Sequence, residues 1–182
     1  MPPFLFCIIS TSMTTIHNIE SKIGGLSAAT GRLSAILLLL LLANVFYDVI
    51  MRYLFNDVSI GMQEMEWHLY ASLFLLGISY TLSMDGHVRV DLIYDRLSAK
   101  RRAQIDITGT LLLLIPFCTL ITWYGVGFVA ESYQLGESSG DPGGLPYRWI
   151  IKSMIPLSFL LVLISSVGFM LRSWRFGEKD QP

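Results

Sequence analysis

The chain has 182 residues, 53% of them hydrophobic and only 15% charged, where an ordinary soluble domain carries roughly 25% charged residues. A mean hydropathy of +0.55 argues against a water-soluble globule, and a net charge of −1 without a basic block removes any electrostatic case for nucleic-acid binding. The unit to look for is the apolar run of about 20 residues that crosses roughly 30 Å of hydrocarbon, and the chain has room for four of them.

Residues 1–30 read as a cytoplasmic or interfacial segment. Phe4 to Ile9 form a short apolar patch, but the first basic residue is Lys22, so the pattern of a secretory signal is missing and an unstructured or interfacial leader is expected. Met13 is a second candidate start. The membrane domain is expected over 31–172, with span one at 33–53, a second at 67–84, a third at 105–129 containing Pro116, and a fourth at 149–171 containing Pro156. Kinks are expected at both prolines. Residues 173–182 form a short cytoplasmic tail. The fold class is thus an all-α integral membrane protein of four transmembrane helices, with a short amphipathic helix between the second and third.

That amphipathic helix is expected at 89–97. Val90, Ile93, Tyr94 and Leu97 recur at helical spacing while Asp91, Asp95 and Arg96 take the other faces, the pattern of a helix lying in the membrane interface. Arg89 belongs to the same segment, and Lys100, Arg101 and Arg102 follow it, placed to meet lipid phosphates. A solvated loop with chance periodicity is the alternative. Lysine and arginine set the orientation: ten fall with the termini and the 85–104 connection, and three (Arg52, Arg148 and Lys152) fall on the opposite side. Both termini are therefore expected in the cytoplasm.

Four groups of polar residues stand out. Asn44, Asp48 and Arg52 recur every four residues on span one and share a face, which suits either packing against a partner helix or direct handling of a solute or ion. Glu64, Glu66 and His68 stand at the mouth of span two, where carboxylates suit a helix N-terminus and a metal site is the rival reading. Cys7 and Cys118 form no motif, and His17, His68 and His87 cannot face one another across a haem. No nucleophile stands near a base in any catalytic pattern, so no enzyme is indicated. The segment from Asp141 to Trp149 (DPGGLPYRW) is the most specific local feature: Pro142 and Gly143 predict a type II turn, and Pro146 stiffens the start of span four. A rigid, aromatic-flanked knuckle of this kind fits a docking surface built from Glu64, Glu66, Asp141, Gly143, Tyr147, Arg148 and Trp149.

Four stretches together, Val49 to Phe55, Gln63 to His68, Asp85 to Asp91 and Asp141 to Trp149, make the chain resemble the small membrane (Q-type) subunit of tripartite ATP-independent periplasmic (TRAP) transporters over about 31–172. The residues before about Thr14 match nothing in that pattern. The resemblance implies a bacterial or archaeal inner-membrane protein that pairs with a large, many-spanned subunit, to which a periplasmic solute-binding protein delivers an organic acid. Sodium is then expected in the large subunit, and no cofactor in this chain. Two rivals remain: a self-sufficient four-helix transporter or channel acting as a homodimer, and the membrane anchor of another complex. The transported solute is not legible.

Overall fold

The computed structural model describes the backbone of residues 3–84 and 97–179 and the side chains of 18–84 and 97–175. Four helices account for nearly all of it: α1 (Pro3–Leu54), α2 (Ile60–Ser83), α3 (Ala99–Gln134) and α4 (Trp149–Lys179). The helix expected at 89–97 lies almost wholly outside the described residues.

The first difference from expectation is α1, a single helix of 52 residues. The leader is helical from Pro3 and runs into the first span without a break. Pro3 sits in the first turn, where a missing N–H costs nothing, and no other proline follows before Leu54. The weak helix formers Gly24 and Gly25 lie beside Ile23, which packs so tightly on α4 that a Cβ at Gly168 would come within 2.9 Å of it. At the far end Asn56 takes a left-handed conformation (φ 51°), and the amides of Phe55 and Asp57 both donate to the Met51 carbonyl. Ser59 then caps α2, its hydroxyl accepting from the Met62 amide at 3.4 Å.

Pro116 acts through a wide turn rather than a break. Its ring would collide with the carbonyl four residues earlier, at Leu112. Leu112 lies in the π-helical turn Thr110–Leu114, which opens the ladder just before the proline and lets α3 continue. Pro156 is buried inside α4, and Gly125 of α3 receives it: a Cβ there would lie 3.2 Å from the proline Cβ.

Among the described residues, three helices are long and apolar enough to cross a membrane: α1 within 18–54, α3, and α4 within 149–175. The expected second span lies on α2, whose 24 residues suffice in length but include His68 and several Ser, Thr and Tyr residues. Helices α1 and α2 pack antiparallel, with Gly31 beside Tyr80 and Ser34 beside Gly77. Helix α4 runs alongside α2 and antiparallel to α1 and α3.

What is buried between the helices inverts the usual rule. Among the described residues, six apolar side chains are buried (Leu76, Leu82, Ala103, Cys118, Pro156 and Val162), against twelve polar or charged ones, seven of them serines. Large apolar side chains point outward instead: Leu39 is 66% exposed, Phe46 68% and Leu113 73%. In water this arrangement would forfeit the hydrophobic effect. In lipid it is the stable one, because apolar side chains gain nothing by leaving hydrocarbon, whereas small residues let backbones approach and hydroxyls bond across helices. At the junction of α1, α2 and α4, Ser165 bonds to Ser27 at 2.9 Å and to Ser79 at 2.8 Å, and all three are buried. Below this node Glu20 of α1 pairs with Arg175 and Arg172 of α4, and Arg172 also donates to the Ser83 carbonyl that ends α2.

Candidate functional site

The bundle end that carries the connections 55–59 and 135–148 is organised around one carboxylate. Glu64 lies in the second turn of α2 and is 6% exposed. It accepts three hydrogen bonds from the other side of the bundle: the Ser139 hydroxyl at 2.5 Å, the Leu145 amide at 2.6 Å and an Arg148 guanidinium N–H at 3.0 Å. The Ser139 hydroxyl comes first and the Leu145 amide next in holding the Glu64 carboxyl below the usual carboxylate range, with Arg148 adding to them.

The loop is closed on itself as well. The Ser139 amide donates to the Leu145 carbonyl at 3.1 Å, and the Arg148 amide donates to the Glu137 carbonyl at 3.0 Å. Glu137 pairs with Lys152 in the first turn of α4, and that ammonium holds the Glu137 carboxyl low. The turn from Asp141 to Gly144 has Gly143 at φ 84° and a Gly144 amide to Asp141 carbonyl bond of 3.0 Å, the expected type II geometry. Tyr147, 64% exposed, also takes a left-handed conformation, with φ 61°. A bulky residue in that region costs about 1 to 2 kcal/mol, so the surrounding bonds hold it against its preference. Trp149 packs edge-on against Tyr133, with ring centroids 5.5 Å apart.

The candidate docking residues therefore divide. Asp141, Gly143 and Tyr147 are exposed at the tip of the loop, while Glu64, Arg148 and Trp149 lie beneath it and fix its shape. Glu66 is separate from both and borders a groove between α1 and α2. Among the described residues no group of three His, Cys, Asp or Glu side chains comes together as a metal site. Around Glu64 the reason is visible: its carboxylate turns to the loop, Glu66 turns to α1, and the His68 ring bonds the Glu64 carbonyl at 2.6 Å.

On α1, Asn44 donates to the Met62 carbonyl at 3.0 Å, so the lower end of the polar stripe is bonded to α2 of the same chain. Asp48, 5% exposed, pairs with Arg52 at 2.5 Å. Of the expected inner interfacial helix, Arg89, Ile93 and Tyr94 lie outside the described residues. Leu97 is described, and its carbonyl accepts from Arg102 at 3.0 Å; Arg101 is exposed. Sequence reasoning missed Ser139, Glu137, Lys152 and the serine node, because their partners lie far away in the chain and no local pattern marks them.

The profile of the family described as "Tripartite ATP-independent periplasmic transporters, DctQ component" matches residues 41–176, which contain Glu64, the loop and most of α4. The chain belongs to the DctQ family. A Haemophilus influenzae protein named as a TRAP transporter small permease protein is 27% identical over 130 residues, covering 70% of this chain and 81% of that protein. DctQ proteins are components of transporters and not enzymes, and membership places the outward-facing leucines of α1, α3 and α4 in a bacterial inner membrane. The family also implies association with a large membrane subunit and a periplasmic binding protein.

Proposed function

We propose that this DctQ chain is the small permease subunit of a sodium-coupled, binding-protein-dependent transporter of organic acids, serving as a scaffold for the large subunit and as part of the docking surface for the binding protein. All four helices cross the membrane in this reading, α2 shielded by its packing against α1 and α4, and both termini lie in the cytoplasm. The orientation rests on the ten basic residues at the termini side against three at the loop side. Sodium and solute are handled by the large subunit, and this chain supplies no cofactor.

One observation carries the docking role: a buried, triply bonded Glu64 holds a loop whose tip displays Tyr147 in a strained conformation. A preordered tip loses little entropy on binding, and exposed aromatics anchor interfaces. The test is uptake into vesicles holding the assembled membrane subunits, over rising concentrations of binding protein. Gly143→Val, which disfavours φ 84°, is expected to lower uptake about tenfold at low binding-protein concentration and to recover part of it at high concentration. Normal uptake at low concentration would leave the loop as a turn and nothing more.

A further inference from the structure

Glu66 has a different environment from its neighbour Glu64. It borders a groove of about 390 Å³ between α1 and α2, whose other walls are apolar: Leu42, Val45, Phe46 and Val49 of α1 and Tyr70 of α2 among them. Its carboxylate has no hydrogen-bond or ionic partner among the described residues. The walls themselves face outward, Phe46 and Tyr70 both more than half exposed. The bond from Asn44 to the Met62 carbonyl sets the start of α2 level with the end of α1's leucine run, Leu37–Leu42. From there α1 continues ten residues to Leu54, about 15 Å at 1.5 Å per residue.

A lone carboxylate on an apolar, outward-facing wall is costly unless a cation or donor meets it. The occupant of the groove must therefore be apolar along most of its length and cationic at one point. Acyl chains fill such a groove but bring no donor. A second copy of this chain, docked through the same face about a two-fold axis, would set Glu66 near Glu66, and the nearest cation on α1, Arg52, is already paired with Asp48. We propose that the α1–α2 groove seats a transmembrane helix of the large subunit, and that this helix presents a lysine or arginine to Glu66. The proposal rests on the subunit role argued above and adds the face and the chemistry of the contact. It also separates the two acidic residues at this end: Glu64 builds the loop, and Glu66 receives the membrane partner.

The test uses the full chain co-expressed with the large subunit. The photoreactive residue p-benzoyl-phenylalanine is placed at Phe46 or Tyr70 in the groove, and at Leu113 or Trp123, exposed on α3, as the comparison. Adducts with the large subunit from Phe46 and Tyr70, and none from Leu113 and Trp123, are expected. Glu66→Lys is expected to lower the co-purified large subunit about tenfold, and Glu66→Gln to lower it less. Adducts from α3 alone, lipid adducts alone from the groove, or an unchanged yield with Glu66→Lys would each overturn the assignment. Failure of the wild-type chain to retain the large subunit would sink the subunit role itself, and the groove assignment with it. The cross-links are made with Glu66 in place, so a misfolded Glu66 variant does not decide the outcome.

Discussion

The Glu64 carboxylate lies 3.0 Å from the guanidinium of Arg148, which follows it in the chain by 84 residues. This contact joins the start of α2 to the start of α4 and passes the loop between them through a single acceptor. Glu64→Ala should leave the Ser139 hydroxyl, the Leu145 amide and Arg148 without their common partner. Backbone amides of 137–147 should then exchange at least about tenfold faster, while those in the middle of α4 keep their wild-type rates. Hydrogen exchange on the detergent-solubilised protein reads both, and an unchanged loop would mean that Glu64 does not order it.

The same carboxylate sets a pH dependence. Glu64 and Glu137 both have folded values below the ordinary 4.5, so their contribution to loop order is complete above 4.5 and is lost as pH falls through the lowered values. Loop protection should therefore be flat between about pH 6 and 8 and decline only below about pH 4.5. Exchange rates across that range check it. A midpoint near neutrality would show that another group controls the loop.

Serine at position 165 is expected to matter more for its size than for its hydroxyl. Ser165→Ala removes two interhelical bonds and should lower stability by about 1 kcal/mol, a modest drop in thermal midpoint. Ser165→Leu places a large side chain where α1, α2 and α4 meet and should cost more, by about 1 to 3 kcal/mol of overpacking. Thermal unfolding of the purified protein compares the two, and equal effects would contradict the close-packed junction.

Orientation is open to direct measurement. Reporter fusions after Arg102 and after Leu171 should read cytoplasmic, and fusions at Asn56 and Ser139 periplasmic. A cytoplasmic reading at Ser139 would place the Glu64-latched loop on the wrong side for any periplasmic partner.

The parts of this molecule that could be read in the sequence are those in which neighbouring residues carry the information. The leucine run of α1, the Pro142-Gly143 turn and the knuckle around Tyr147 were visible for that reason. Pro116 announced a disturbance, but not that a five-residue π turn would absorb it, since the choice between a kink and a wide turn depends on how α3 packs. Asp48 and Arg52 are four residues apart and could be paired on paper. Glu64 could not: its three partners come from 139–148, and from one sequence it was indistinguishable from Glu66, two positions on, which faces the opposite way. The serines were harder still. A serine in an apolar run reads as an interruption until the helix across from it is known, and the composition of this interior is the reverse of what a water-based expectation supplies.

The geometry of the serine junction also has a consequence in time. Ser27 and Ser79 each bond Ser165, whose helix is the last of the four to be synthesised. A nascent chain holding α1 and α2 can lay them side by side through Gly31, Ser34 and Gly77, yet at this junction it lacks the hydroxyl that both serines share. The arrival of α4 completes the set and also brings Arg172 and Arg175 to Glu20 and Arg148 to Glu64, so the two faces of the membrane are closed by one event. Assembly of this small bundle is thereby a three-body lock turned by its final helix, and a half-made chain carries a readable mark of being unfinished: polar groups waiting in lipid for a partner that has not yet emerged.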